Sequence, residues 1–170
     1  PYGKFPNLVK FIFLNLGNSF CFLINFCKNL LILDSLFSRS VKNAQKTGMF
    51  ICGKDASLAL DMMEMAKKSM VPPFEISVFP DPAGSFTTAA AMVACTEKTL
   101  KNKFQTNFEG KNIIIYGGKG IVGGISAIMC AQKGANCTIV GYDGIENVKK
   151  KAEEYHSRFK VKITPGDGSS

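Results

Sequence analysis

The sequence contains no tryptophan and one histidine among its 170 residues. With only His156 available, no Ser-His-Asp set can be assembled. Its place late in a lysine-rich helical pattern reads as a surface position near a helix C-terminus. Of the six cysteines (Cys21, Cys27, Cys52, Cys95, Cys130 and Cys137), none forms a CxxC pair. That spacing argues against a zinc site, and no metal is expected. Several of them lie in apolar runs, where cysteine behaves as a small hydrophobe, and they read as reduced, cytosolic thiols. The G-K-[ST] signature of a kinase-type phosphate loop is missing. The net charge of +8 comes without a basic stripe interleaved with aromatics. The only lysine run is Lys149–Lys151, inside a helical pattern, so the charge reads as solvated surface and no nucleic-acid partner is expected. There is no initiator methionine, and the chain stops at "TPGDGSS", just past a strand-like run. It reads as a fragment.

What is present begins with an anomaly. Phe11 to Leu33, "FIFLNLGNSFCFLINFCKNLLIL", has the length and apolarity of a membrane span. Asn15, Asn18, Asn25, Lys28 and Asn29 weigh against that reading, and no small-residue cleavage site follows. An inserted segment is preferred, with a buried helix or a membrane segment as alternatives. From Met49 the pattern becomes regular. Strands are expected at Met49–Cys52, Phe74–Phe79, Asn112–Gly117, Asn136–Tyr142 and Lys160–Thr164. Helices are expected at Asp55–Met70, Ser85–Phe104, Ile121–Gly134 and Ile145–Phe159, with Asp55 as an N-cap. This alternation predicts an α/β fold with a largely parallel sheet.

The sharpest motif is "GKGIVG", where Gly118, Gly120 and Gly123 form G-x-G-x-x-G after a strand and at the start of a helix. Gly118 is expected to make the tight turn, Gly120 to let a pyrophosphate approach, and Gly123 to let helix and strand pack closely. Lys119, Ile121 and Val122 complete the loop. The helix start then supplies free N–H groups and a positive dipole end. The strand "NIIIYG" is apolar throughout, as suits a central strand covered on both faces. Asp143 follows the next strand, 20 residues beyond Gly123, beside Tyr142. A carboxylate there can accept from a ribose 2′-OH, although "YDG" is also good turn chemistry. The loop predicts a bound dinucleotide, with a ligand-free glycine turn as the alternative. Glu153 and Glu154 read as helix partners of nearby lysines.

A second segment, "PDPAGSFTTAAA", places Asp81 in a turn beyond a strand end and starts a helix with Ser85, Thr87 and Thr88. In open α/β sheets, ligands bind beyond the carboxyl ends of strands. The plainer alternative is that Asp81 and Ser85 only cap the helix.

This segment resembles the D-S-N-G-S-N-T-T-A-A-A turn of the NADP-dependent methylene-tetrahydromethanopterin and methylene-tetrahydrofolate dehydrogenases. "GKGIVG" resembles that family's G-T-G-P-V-G. "LFSRSVKNAQKTGMFICG" is similar to its F-T-R-G…T-A-I-F-V-G-G stretch, "YGKFPNLV" to its Y-G-x-V-T-P-x-N-V, and "SRFKVKIT" to its R-F-K-V-N-V-T. The resemblance covers residues 2–9 and roughly 36–168. It implies an oxidoreductase of one-carbon metabolism that passes hydride from a methylene-pterin to NADP or NAD and leaves a methenyl product. It also implies a parallel-sheet substrate domain followed by the first half of a Rossmann domain. The expected division is 1–35 (the atypical apolar segment), 36–105 and 106–170. The pterin side falls on Asp81, Gly84, Ser85, Thr87 and Thr88, with the cofactor on the glycine loop and on Tyr142 and Asp143. No catalytic residue is assigned.

Three departures qualify the resemblance. Ala83 and Phe86 stand where the family has asparagines. Gly141, Tyr142 and Asp143 replace its G-R-K, whose arginine suits a 2′-phosphate; a carboxylate there repels phosphate and favours NAD. Lys149 is the candidate to compensate. The nicotinamide half of the fold is missing, so the fragment is expected to be incomplete for catalysis. A cytoplasmic homo-oligomer with a reduced pterin as substrate is expected. Another Rossmann dehydrogenase, or a non-catalytic binding module, is the rival.

Overall fold

The computed structural model describes residues 10–14, 41 and 47–168. It contains two compact units that divide between Gly84 and Ser85. The boundary expected from the sequence lay after residue 105.

The first unit holds strands β1 (Lys10–Leu14), β2 (Thr47–Ile51) and β3 (Ser77–Pro80), with helix α1 (Ala56–Ser69) between β2 and β3. The strands lie in that order and all run parallel, with Leu14 beside Ile51 and Ile51 beside Pro80. Helix α1 starts where expected, because the Asp55 carboxylate accepts from the Leu58 N–H at 3.0 Å. Lys67 and Lys68 in its last turn suit the negative end of the helix dipole. Ala59, Met62 and Ala66 recur at helical spacing and meet Met49, Ile51 and Ile76 in the core. Strand β3 begins later than the expected Phe74. The Phe74 N–H donates instead to the Val71 carbonyl at 2.7 Å, closing a turn over Pro72 and Pro73. The apolar segment also needs correcting at its start. Lys10–Leu14 is a sheet strand and not a helix, while residues 15–33, with most of the expected insert, lie outside those described. No helix among the described residues is long and apolar enough to cross a membrane.

The second unit holds α2 (Ser85–Phe104), β4 (Asn112–Tyr116), α3 (Ile121–Gln132), β5 (Asn136–Gly141), α4 (Ile145–Phe159) and β6 (Ile163–Asp167). Its strands are parallel in the order β4-β5-β6, with Ile115 beside Ile139 and Gly141 beside Asp167. Helix α2 belongs here because it packs on α3 and turns Ala89 and Val93 inward. The core gathers Val93, Phe108, Ala127, Ile139, Val148 and Tyr155.

Two expectations change. Strand β6 starts at Ile163 instead of Lys160, because Lys160 takes a left-handed conformation (φ +57°) and its N–H closes α4 on the His156 carbonyl at 2.9 Å. Its "TPG" run continues the strand. Pro165 is tolerated there because β6 pairs on one side only among the described residues. Strand β4 is covered on one face instead of two. Ile113 and Ile115 pack on the core, while Ile114 and Tyr116 are 61% and 78% exposed. It too has one partner strand among the described residues.

Candidate functional site

The glycine loop sits at the carboxyl ends of β4 and β5. Its left-handed residue is Gly117 (φ +70°), so the turn rests on that glycine and not on Gly118. The Gly117 N–H donates to the Val140 carbonyl at 2.9 Å, and the Gly120 N–H to the Gly117 carbonyl at 2.9 Å. Gly118 is needed for close approach, since a Cβ there would lie 2.4 Å from the Ile139 Cβ. A Cβ on Gly123 would lie 2.6 Å from the Gly117 carbonyl oxygen, so this glycine lets α3 close on the loop. Gly120 is the N-cap of α3 and makes no side-chain cap. The amides of Ile121, Val122 and Gly123 therefore begin the helix without intrahelical acceptors. This cradle of backbone donors fits a pyrophosphate.

Asp143 stands two residues past the end of β5, beside the 89%-exposed Tyr142. It leads into α4, whose N-cap is Gly144 (φ +93°), and its carbonyl accepts from the Asn147 side-chain amide at 2.8 Å. Turn chemistry and an outward carboxylate thus coexist in "YDG". The carboxylate forms an ion pair with Lys119 of the glycine loop. The Lys119 ammonium holds the Asp143 carboxyl below the ordinary aspartate range. Gly141 makes room for this pair, because a Cβ there would meet Lys119 Cδ at 3.1 Å and Asp143 Oδ1 at 3.2 Å.

Sequence reasoning missed Tyr155. It is buried in α4, and its hydroxyl donates to the Gly118 carbonyl at 3.2 Å. A Cβ on Gly124 would fall 1.9 Å from that hydroxyl oxygen. The signal was available, since Val148, Ala152 and Tyr155 repeat at helical spacing through the charged helix. Burial, helped by Glu154, pushes the Tyr155 hydroxyl up to about 12. An unfolded tyrosine ionises near pH ~10, so the unfolded chain gives up this proton first and stability falls as pH rises. The loss should approach ~1.4 kcal/mol per pH unit between the two values. Urea unfolding across that range should show the fall in the natural chain and a shallower one in Tyr155→Phe.

The second predicted segment divides at the unit boundary. In the first unit, Asp81 is buried, its N–H donates to the Ile51 carbonyl at 2.9 Å, and Pro82–Gly84 form a short 3-10 turn. Gly84 is left-handed (φ +67°), and so is Ala83 (φ +53°). In the second unit, Ser85 is buried at the start of α2, while Thr87 and Thr88 are exposed. Ala83 stands where the resembling family has asparagine, a residue that enters the left-handed region more readily. Ala83→Asn should therefore stabilise the first unit by about 0.5–1 kcal/mol. Thermal unfolding would check this, and no gain would mean that Ala83 is not left-handed. Among the described residues, no group of three His, Cys, Asp or Glu side chains could hold a metal ion.

Residues 28–83 match the family model of the methylene-tetrahydromethanopterin dehydrogenase N-terminal region. The chain is 49% identical over 136 residues to the NAD(P)-dependent methylenetetrahydromethanopterin dehydrogenase of Methylorubrum extorquens, covering 80% of this chain and 46% of that protein. It is 32% identical over 133 residues to the bifunctional protein MdtA of the same organism, covering 78% and 44% respectively. The chain thus spans a little under half the length of these curated relatives. Among solved structures, the L-tryptophan dehydrogenase of Nostoc punctiforme overlaps at a TM-score of 0.38 and 15% identity, over 87% of this chain and 37% of that one. That likeness is too slight to carry an argument.

Proposed function

We propose that this chain belongs to the methylene-tetrahydromethanopterin dehydrogenase family and that the whole protein is an NAD(P)-dependent oxidoreductase of one-carbon metabolism. Its substrate is a methylene-tetrahydropterin and its product the methenyl form. The nicotinamide supplies the hydride acceptor. The single observation that carries the reading is the glycine loop: three glycines closed against backbone and Ile139, the first α3 amides without intrahelical acceptors, and Lys119 paired with Asp143. The chain's own part is to bind and orient. The amides of Ile121, Val122 and Gly123 take the pyrophosphate, and Lys119, Tyr142 and Asp143 take the adenosine side. Asp81 and Gly84 of the first unit, and Ser85, Thr87 and Thr88 of the second, are the pterin-side candidates. Their support is the family resemblance. Action in the cytoplasm as a homo-oligomer belongs to the same proposal.

The test is a hydride-transfer assay on the whole protein, read as formation of reduced nicotinamide. Methylene-tetrahydromethanopterin and methylene-tetrahydrofolate would be compared with hydroxy acids. Turnover with a pterin alone is expected. Turnover with hydroxy acids only would favour another Rossmann dehydrogenase, and none with any substrate would favour a non-catalytic binding module.

A further inference from the structure

Beyond the end of β5, Asp143 meets the opposite charge of Lys119 from the loop after β4, where a single acid would select NAD. Asp143 alone would accept from a ribose 2′-OH and repel a 2′-phosphate. Lys119 changes that balance. It lies inside the glycine loop, its stem crosses Gly141, and its ammonium meets the carboxylate. Both side chains remain part-exposed, at 28% and 38%, so a ligand can reach them. Lys149, the other candidate, is engaged elsewhere. Its ammonium lies 2.7 Å from Glu146 on the same helix, and it lines a groove of about 220 Å³ with Glu153, His156 and Lys162.

We propose that Lys119 is the residue that admits a 2′-phosphorylated adenosine, so that one strand end accepts both NADP and NAD. This rests on reading the glycine loop as a dinucleotide site. A lysine ammonium is a compact charge with three donors on a flexible stem, so it can keep Asp143 while turning a donor to a phosphate. A phosphate monoester carries about −1.5 to −2 charges at neutral pH. With Lys119 in place it meets a neutral pair, and without Lys119 it meets a bare carboxylate. A 2′-OH needs only the carboxylate, so NAD recognition does not depend on the lysine.

Calorimetry on this chain with adenosine 2′,5′-bisphosphate and 5′-AMP isolates the 2′-phosphate, because the two ligands differ in that group alone. The natural chain should bind both. Lys119→Ala should weaken the bisphosphate by about 10- to 100-fold more than it weakens 5′-AMP, the range of a charge-assisted hydrogen bond. Lys119→Arg should retain the bisphosphate, Asp143→Asn should favour it further, and Lys149→Ala should leave the ratio alone. Equal weakening of both ligands in Lys119→Ala would overturn the proposal, as would a ratio set by Lys149. If the natural chain binds neither ligand, and neither NAD nor NADP, the dinucleotide reading fails and this inference with it. If it binds 5′-AMP and NAD only, the inference fails alone.

Discussion

Phe108→Ala should destabilise the second unit by about 3–5 kcal/mol. Phe108 is 1% exposed and sits in the connection between α2 and β4, where a side chain would ordinarily face water. It fills the core beside α2, α3 and β5. The backbone around it is tied on both sides. The Gly110 N–H donates to the Gly134 carbonyl at 2.9 Å, and the Lys111 N–H to the Phe108 carbonyl at 3.0 Å. The Asn136 N–H donates to the Lys111 carbonyl at 2.8 Å. A connection held this way cannot collapse into the space left by the ring, so the cavity cost adds to the lost transfer energy. Small domains have only about 5–15 kcal/mol in total, so the variant should be near unfolding at 37 °C. Urea titration should give a lower midpoint with an unchanged slope. A loss below about 1 kcal/mol would mean that the ring is not in the core.

Gly118→Ala is the second large effect, and its steric origin can be isolated. The added Cβ would lie 2.4 Å from Ile139 Cβ, 2.5 Å from its Cγ2 and 3.1 Å from its Cα. Ile139 is fully buried on the middle strand of the described sheet, so neither partner can turn aside. Overpacking of this kind costs about 1–3 kcal/mol or more, and the displaced loop should also lose 5′-AMP. Trimming Ile139 to alanine should not rescue the variant, because the clashing Cβ stays. Gly117→Ala is the contrast: a Cβ there meets nothing within 4 Å, and the φ of +70° is the only obstacle. It should cost about 1–2 kcal/mol through the backbone alone. Equal losses in the two variants, with rescue by Ile139→Ala, would sink the packing account of Gly118.

Those contacts also mark what could be read from the chain beforehand. Asp55, the helix periods and the G-x-G-x-x-G spacing are local signals, and the α/β alternation with parallel strands followed from them. The roles inside the loop were not local. Gly118 depends on Ile139, across a strand pairing that spacing does not reveal. Asp143 was singled out for its position, but its partner Lys119 comes from a loop 24 residues earlier. The start expected for β6 at Lys160 comes too early because that residue closes α4, a cap that an extended-looking run does not reveal, and the strand carries Pro165 because it pairs on one side only among the described residues. The two-sided burial expected of β4 differs from the structure because apolar composition does not show which face of a strand packs on the core: Ile113 and Ile115 do, and Ile114 and Tyr116 do not.

The hydroxyl of Tyr155 reaches further than the one carbonyl it holds. A trans peptide is flat, and its C=O and N–H point in opposite directions. Fixing the Gly118 oxygen toward α4 therefore aims the Lys119 amide hydrogen away from it, across the loop. A side chain from a later helix thus sets the compass of a main-chain donor whose own residue carries the ammonium beside Asp143.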